Sequence, residues 1–268
     1  MTASAVLPSA TAASAAAPVL ELRGVTKRFG ELTAIEDLTF AVSPGEFVAI
    51  VGPSGSGKST ILSLVAGLDR PSAGLVRLRG EAVGGPSMHV GYMLQKDLLL
   101  PWRTIRRNVE FGLEARPVKR AERRERAMRE LARCRLEAFA DHYPRQLSGG
   151  MRQRAALART LAIDPDVILL DEPFSALDAQ TKLILQKSFA QTIMQSGITT
   201  VLITHDLAEA VCMADRIIVL SDRPGRIIEE IALDLPGRGD PLARRVHARA
   251  NDYIAHLFSL MKLDERFT

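Results

Sequence analysis

Cysteine and long apolar runs are scarce in this 268-residue sequence, and each scarcity excludes a class of protein. The two cysteines, Cys134 and Cys212, lie far apart and match no metal-binding or redox spacing, which predicts free thiols in a reducing compartment. The longest apolar runs have the length of a strand, whereas a membrane-spanning helix needs about 20 apolar residues. We therefore expect neither a disulfide-stapled secreted domain nor a chain that crosses a membrane by itself.

A strong excess of one charge is also lacking. The net charge of +4, from 35 basic and 31 acidic residues, fits anionic partners in general and does not choose among nucleotide, lipid headgroup and nucleic acid. Residues 1–18, mostly Ala, Ser and Thr, lack the basic start and the apolar middle of a secretory signal. Their composition predicts a disordered N-terminal tail.

Short β-like stretches alternate with helical ones along most of the chain. Residues 19–50 predict a small sheet that includes strands at 19–25, 38–42 and 47–51. Further along, strands predicted at 167–170, 199–204 and 216–220 alternate with helices that begin after Asp178 and Asp206. This alternation predicts a mostly parallel sheet flanked by helices.

Two other segments predict helices outside that alternation. Residues 103–135 are rich in arginine, but acidic residues are interleaved at helical spacing, so a solvated helix face is favoured over a nucleic-acid surface. Past Pro236, apolar residues recur on one helical face and predict a C-terminal helix that packs on its own domain. These apolar residues are Leu242, Val246, Ile254, Leu257, Phe258 and Met261.

A phosphate-binding motif, G-x-x-x-x-G-K-[ST], follows the strand predicted at 47–51. In such a loop the glycines let backbone N–H groups turn inward around phosphates, at the positive end of the following helix. The ammonium of Lys58 can reach the β- and γ-phosphates of ATP, and the hydroxyl of Ser59 can ligate Mg²⁺. The strand and helix context disfavours a chance glycine-rich turn. The candidate ATP-binding residues are Gly52, Pro53, Ser54, Gly55, Ser56, Gly57, Lys58, Ser59 and Thr60.

The strand predicted at 167–170 ends in two carboxylates. We expect Asp171 to face the Mg²⁺ ion of a phosphate-loop enzyme. Glu172 is the candidate to polarise the attacking water, because a general base must lie within hydrogen-bond reach of the proton it takes. Taken alone, the two carboxylates could equally cap a helix just before Pro173.

The phosphate loop alone does not separate a kinase, a GTPase and a transporter motor, and the signature segment, residues 147–150, decides among these classes. It reads Leu147-Ser148-Gly149-Gly150, and with it the chain resembles the ATP-binding cassette (ABC) family over nearly its whole length. The resemblance implies that this segment opens a helix and binds the γ-phosphate of ATP held by a second subunit. It also implies roles for four more residues, which are Phe29 in adenine stacking, Gln95 at Mg²⁺ and the attacking water, Asp178 in the loop that crosses to the partner, and His205 at the γ-phosphate.

The resemblance also implies an architecture. The expected fold is α/β, with a RecA-like phosphate-loop NTPase core around a mostly parallel sheet, an N-terminal antiparallel β subdomain and an inserted α-helical subdomain. We place the ABC ATPase domain at residues 19–236, its helical subdomain at about 97–160, and a C-terminal helical tail at 237–268.

Two segments resemble the nitrate, sulfonate and taurine import group of the family. These are residues 96–109 and residues 220–227. The resemblance implies a pair of ATPase subunits at the cytoplasmic face of the inner membrane, separate permease subunits, an extracytoplasmic solute-binding protein and no nucleic acid. Trp102 and nearby leucines suit a docking surface for the permease, although core packing would explain them too.

Two functions compete with transport. Non-transport ABC ATPases act in DNA repair, chromosome structure or translation, but the first two separate their halves by a long coiled coil and the last usually carries two cassettes in one chain. A regulatory cassette that only holds ATP is the other alternative. The presence of Glu172 and His205 favours turnover of ATP.

Overall fold

The structure, a computed structural model, describes residues 17–261, so nearly all of the predicted N-terminal tail and residues 262–268 lie outside it. In this part of the chain, strands β1 to β10 are Leu20–Phe29, Leu32–Val42, Phe47–Val51, Ala73–Leu78, Glu81–Ala82, Val90–Met93, Val167–Asp171, Thr199–Ile203, Arg216–Leu220 and Ile227–Ala232. Helices α1 to α8 are Lys58–Val65, Ile105–Glu114, Arg120–Arg133, Gly149–Ala162, Ala179–Ser196, Leu207–Met213, Pro241–Arg245 and Ala248–Leu260.

A six-stranded sheet forms the centre of the fold, with the strand order β10-β9-β3-β8-β7-β6. Its five strands from β9 to β6 are parallel, and β10 pairs antiparallel with β9 at one edge. Strand β3 is apolar and buried along its whole length, as expected for a parallel strand covered on both faces. The prediction of a mostly parallel sheet is confirmed, and β10 is a strand that the sequence analysis did not predict.

A second sheet, with the order β2-β1-β4-β5, is antiparallel. The predicted small sheet at residues 19–50 is therefore wrong in one respect, because Phe47–Val51 pairs with β8 and β9 in the large sheet instead. The physical reason is burial. Both faces of β3 are covered by core residues, whereas β1 and β2 alternate between buried and exposed positions.

Two apolar cores lie on opposite faces of the large sheet. Val48 and Ile50 face a core shared with the small sheet and α1, whereas Phe47, Ala49 and Val51 face a core built with α4, α5, α6 and α8. This alternation follows from the two-residue period of a strand. The sheet is thereby covered on both sides, and its carboxyl edge remains for the loops.

The arginine-rich segment forms two helices, α2 and α3, which pack on each other and on α4. Its acidic residues bind the arginines: Glu122 pairs with Arg126 at 2.7 Å, and the buried Glu130 pairs with Arg129 at 2.8 Å. The arginines are therefore partly neutralised within the helix. The boundaries of the helical subdomain remain a prediction.

The C-terminal segment folds as two helices, so its predicted single apolar face is wrong. Leu257 and Met261 are buried, together with Tyr253, whereas Val246 is 85% exposed. Leu242 and Phe258 are exposed as well. For Leu242 and Val246 the reason is the break between α7 and α8, where His247 has an extended backbone that ends the helical period.

Candidate nucleotide-binding site

Four loops that carry predicted site residues follow neighbouring strands of the large sheet. The phosphate loop, residues 52–59, follows β3, and His205 follows β8. Asp171 and Glu172 lie at the end of β7, and Gln95 follows β6. Because parallel strands place their carboxyl ends on one edge of a sheet, residues from four distant segments meet there.

The phosphate loop is closely packed against its surroundings. Gly57 has a φ of 87°, which side-chain-bearing residues rarely adopt, and a Cβ placed on it would lie 2.3 Å from Cγ2 of Ile35. A Cβ on Gly52 would lie 2.9 Å from Oγ of Ser56 and 3.0 Å from Cβ of Leu220. The glycines of the motif are therefore required by the space around the loop as well as by its backbone conformation.

Lys58 is folded onto its own loop. Its ammonium Nζ donates hydrogen bonds to the carbonyl oxygens of Gly52 and Pro53, both at 2.8 Å. Burial lowers the pKa of Lys58, and the negative charges of Glu172 and Asp171 oppose that shift. The ammonium thus rests on two carbonyls that a phosphate group could replace.

Asp171 lies beside two hydroxyl groups. Tyr92 donates from Oη to Oδ2 of Asp171 at 3.3 Å, and the hydroxyl of Ser59 also hydrogen-bonds to this carboxyl. Burial raises the pKa of Asp171, and the charge of Glu172 adds to the shift. A carboxylate and a hydroxyl are hard oxygen donors of the kind that Mg²⁺ takes from proteins when phosphates and water complete its shell. These residues therefore fit a magnesium ion.

Glu172 brings the three predicted catalytic side chains together. Its Oε2 lies 3.1 Å from Nδ1 of His205 and 3.5 Å from Nε2 of Gln95. The same Nε2 of Gln95 donates to Oγ of Ser175 at 3.1 Å. Glu172 has a φ of 46°, and its N–H donates to the carbonyl of Ile203 in the neighbouring strand at 2.9 Å. A strained backbone at the end of β7 thus aims this carboxylate at the histidine.

Phe29, at the end of β1, is half exposed. The ammonium Nζ of Lys27 lies 4.8 Å from the centre of its ring, which is a cation–π contact. Lys27 also donates to Asp69 at 2.6 Å and to the carbonyl of Arg70 at 3.0 Å, both of which follow α1. The lysine therefore connects the predicted adenine platform to the helix that continues from the phosphate loop.

The signature segment and Asp178 form a second group. Ser148 caps α4, where its hydroxyl accepts from the N–H of Met151 at 3.3 Å. Asp178 caps α5 by accepting from the N–H of Thr181 at 3.0 Å, and this hydrogen bond lowers the pKa of Asp178. A Cβ on Gly150 would lie 3.1 Å from Cγ2 of the same Thr181. The beginnings of α4 and α5 are thus neighbours.

Comparisons with known proteins agree with this geometry. The family model described as "ABC transporter" matches residues 35–175. The nitrate import ATP-binding protein of Synechocystis sp. is 45% identical over 78% of this chain and 78% of its own length. The taurine import ATP-binding protein of Yersinia pestis is 41% identical over 83% of this chain and 89% of its own length. The chain belongs to the ABC transporter ATP-binding family.

A solved structure extends the comparison to the fold. The dimeric, post-hydrolysis state of an ATP-binding cassette bound to ADP and Pi matches with a TM-score of 0.65 and 35% identity, over 78% of this chain and 99% of that chain. This ABC protein is accordingly the ATP-binding subunit of a transporter, and its hydrolysis of ATP is coupled to transport. None of the helices within residues 17–261 is long and apolar enough to cross a membrane.

The sequence analysis missed a cluster of three charged side chains in this ABC ATPase, of which Glu209 is buried and Lys182 and Asp206 are partly buried. Nζ of Lys182, on α5, lies 2.7 Å from Oδ2 of Asp206 and 2.9 Å from Oε2 of Glu209, on α6. Glu209 is 2% exposed, and burial raises its pKa although Lys182 opposes the shift. The cluster joins the helix that Asp178 caps to the turn that carries His205. Its signal in the sequence is an acidic residue one helical turn after Asp206, beside apolar neighbours.

Proposed function

We propose that two copies of this chain hydrolyse ATP at sites that each combine the phosphate loop of one copy with the signature segment of the other. The observation that supports this most directly is the division of the site residues into two groups. Lys58, Asp171, Glu172 and His205 meet around the phosphate loop, whereas Ser148 lies with the beginning of α5. Both groups present the N-terminus of a helix, which attracts anions. A γ-phosphate held between them would contact both.

In the proposed bound state, Lys58 leaves the carbonyls of Gly52 and Pro53 and binds the β- and γ-phosphates. The N–H groups of the loop through Thr60 surround the same phosphates at the beginning of α1. The exposed ring of Phe29 stacks on adenine, with Lys27 behind it. These contacts bind and orient the nucleotide, so that the γ-phosphate faces Glu172.

In the proposed hydrolysis step, Glu172 accepts a proton from water while the water oxygen forms a bond to the γ-phosphorus. The bond from that phosphorus to the bridging oxygen of ADP breaks, and the leaving oxygen takes the electron pair. His205 and Gln95, both adjacent to Oε2 of Glu172, orient the carboxylate and the water. Ser148 and Gly149 of the second copy stabilise the charge on the γ-phosphate.

Mg²⁺ would be held by Ser59 and Asp171, with Gln95 as a further ligand. Bound there, the ion would neutralise part of the phosphate charge as the bond to the leaving oxygen breaks. The raised pKa of Asp171 is consistent with such a role, because a buried carboxyl of this kind is stabilised in its charged form by a nearby cation.

The transported solute is proposed to be a small anion or zwitterion such as nitrate, a sulfonate or taurine. This proposal rests on the names of two relatives that are 45% and 41% identical to the chain. Uptake would need separate permease subunits and an extracytoplasmic binding protein, with this subunit peripheral at the cytoplasmic face of the membrane. Trp102, 72% exposed, and Leu98, 52% exposed, offer a docking surface for the permease, whereas Leu99 beside them is buried in the core.

The experiment replaces the proposed base, with Glu172→Gln as the variant. We expect this variant to bind ATP, to accumulate as a dimer in size-exclusion chromatography with ATP, and to lose turnover by about 100-fold or more. Glu229→Gln is the matched control. Glu229 pairs with His256 at a distance of 3.0 Å, much as Glu172 pairs with His205, and this second pair lies outside the site. Turnover at the wild-type rate in Glu172→Gln would remove Glu172 from the mechanism.

A further inference from the structure

The turn between β9 and β10, residues 221–226, packs directly on the phosphate loop. Nε of Arg223 donates to the carbonyl oxygen of Gly55 at 3.2 Å, and a Cβ on Gly55 would lie 3.0 Å from Nη2 of the same arginine. A Cβ on Gly225 would lie only 2.0 Å from the carbonyl oxygen of Ser56. This turn therefore contacts two successive carbonyls of the loop, and it belongs to one of the segments that resemble the import group.

The turn is itself held in place by strand β2. The N–H of Gly225 donates to the carbonyl of Ala34 at 3.0 Å, and the carbonyl of Gly225 accepts from the N–H of Glu36 at 3.0 Å. Arg226 forms an ion pair with Glu36 at 2.6 Å. The phosphate loop is thus backed by a turn that is fixed to the small sheet, and Arg223 is the side chain that reaches from the turn to the loop.

The contacts of the turn set the direction of the amides in the loop. In a trans peptide the C=O of one residue and the N–H of the next point in opposite directions. Because the carbonyls of Gly55 and Ser56 face the turn, the N–H groups of Ser56 and Gly57 face away from it. Successive N–H groups that share a direction form a concave anion-binding site.

One of these inward donors, the N–H of Ser56, shares a carbonyl with Lys58. The N–H of Ser56 donates to the carbonyl oxygen of Pro53 at 3.2 Å, and Nζ of Lys58 donates to the same oxygen at 2.8 Å. The amide and the ammonium therefore converge on one acceptor, and an incoming phosphate oxygen can take the place of that acceptor. Their common direction is available before the nucleotide arrives only if the carbonyl of Gly55 stays turned outward.

We propose that Arg223 is a positioning residue for the phosphates of ATP, acting through the Gly55 peptide. Its guanidinium holds the Gly55 carbonyl outward, and so keeps the N–H of Ser56 directed at the phosphate position. The charge of the arginine also polarises that peptide and makes the N–H a stronger donor. The inference rests on the proposed role of the phosphate loop and adds a residue that lies far from the loop in the sequence.

The test measures binding of N-methylanthraniloyl derivatives of ATP, ADP and AMP to the full-length protein by fluorescence. For Arg223→Ala we expect affinity for ATP and ADP to fall about three- to tenfold, because the N–H of Ser56 is less well directed but not removed, which costs less than a whole charge-assisted hydrogen bond. Affinity for AMP, which lacks the β-phosphate, stays at the wild-type value. Arg223→Lys, which keeps a charged donor, restores most of the loss.

Arg238→Ala is the matched control, since Arg238 also donates to a glycine carbonyl, that of Gly45, away from the loop. An unchanged ATP affinity in Arg223→Ala would overturn the inference, and so would an equal loss for AMP together with a lower unfolding temperature. Lys58→Met separates this result from the proposed function. If Lys58→Met loses ATP affinity and Arg223→Ala does not, only the proposed role of Arg223 fails. Wild-type ATP affinity in Lys58→Met would instead contradict the proposed role of the phosphate loop itself.

Discussion

Two helices of the molecule begin with glycine-rich segments, and they begin differently. Helix α1 has Gly57 at its N-cap in a left-handed conformation, with no side-chain hydrogen bond to the cap, and Lys58 follows at once. Helix α4 has Ser148 at its N-cap, and the serine hydroxyl accepts from the N–H of Met151. The first helix is preceded by a loop wedged between β2 and the β9–β10 turn, whereas the second adjoins the beginning of α5.

This difference means that the loop before α1 forms a complete phosphate site, whereas the beginning of α4 supplies only part of one. The loop before α1 has an ammonium and inward amides, and Asp171 beside it would hold Mg²⁺, so we propose that this loop binds a nucleotide's phosphates by itself. The beginning of α4 has the partial positive charge of a helix, one hydroxyl and the guanidinium of Arg152. Because Arg152 is already paired with Asp97 at 3.0 Å, the attraction of this segment for an anion is weaker. An anion must already be held elsewhere for α4 to contribute, as the proposed pairing of two copies requires.

The largest expected effect tests that division directly. Lys58→Met damages the loop of a copy, and Ser148→Arg blocks the signature segment of a copy. Each variant alone should lose ATP turnover by about 100-fold or more, because every ATP site of the dimer then lacks either its phosphate loop or its signature segment. A mixture of the two should recover to about a quarter of the wild-type rate, because half of the randomly paired dimers contain one intact site of two.

The measurement is phosphate release at constant total protein, with each variant alone, the mixture and the wild type. ATP binding is followed in parallel, and Ser148→Arg should keep it while Lys58→Met loses it. A mixture that stays inactive although mixed dimers are detected by mass spectrometry would show that each copy needs its own α4 for its own ATP.

The next effect concerns stability and contrasts Gly57 with Gly149. Alanine at Gly57 needs a φ of 87° and places Cβ 2.3 Å from Ile35, so Gly57→Ala should lower the free energy of unfolding by about 1–3 kcal/mol. Alanine at Gly149 meets its nearest neighbour, Leu177, at 3.7 Å and gains helix propensity. Gly149→Ala should therefore leave the free energy of unfolding within about 1 kcal/mol of wild type or raise it.

Urea denaturation of the two variants checks this contrast. Both are single methyl additions at the beginning of a helix, so each serves as the control of the other. Equal stabilities would mean that the phosphate loop relaxes around the added methyl group, and the tight packing of α1 would then not distinguish it from α4.

Much of the site could be predicted because its chemistry is local in sequence. Gly57, Lys58 and Ser59 are adjacent, and their spacing alone specifies a phosphate loop. The acidic end of β7 was predictable in the same way, from an apolar run that stops at Asp171. Gln95 and His205 have no such local signal, and they were found through the resemblance to the ABC family.

The features that were missed depend on contacts between distant segments. Arg223 reaches Gly55 across 168 positions of sequence, and Lys182 reaches Asp206 across 24. The pairing of β3 with β8 and β9 likewise follows from burial on both faces, which an apolar run such as Phe47–Val51 does not reveal by itself. Periodicity also failed at the C-terminal segment, because the break between α7 and α8 leaves no local sign of where each face points.

The smallest expected effect contrasts one carboxylate from each group. The pKa of Asp171 is raised by burial, so its folded state prefers the protonated form. The free energy of unfolding therefore falls as pH rises from 3.8, the pKa of Asp171 in the unfolded state, to its higher pKa in the folded state. Above that range the loss of stability is complete. Asp171→Asn removes the cost, so the nucleotide-free variant should unfold about 1–3 °C above wild type at neutral pH.

Asp178 should respond in the opposite direction. Its pKa is lowered by the hydrogen bond from the N–H of Thr181, so the charged carboxylate stabilises the folded state above the unfolded value and loses that contribution as pH falls through the folded value. Asp178→Ala should therefore unfold below wild type at neutral pH. Thermal unfolding of the two variants and wild type from about pH 8 to about pH 4 checks both signs. For Asp171 the difference from wild type should shrink toward the acidic end of this range, whereas for Asp178 it should persist down to about pH 4, because its lowered folded pKa lies below the unfolded value of 3.8. Shifts of the same sign would mean that the two groups of site residues share one electrostatic environment, and the distinction between the groups would then rest on packing alone.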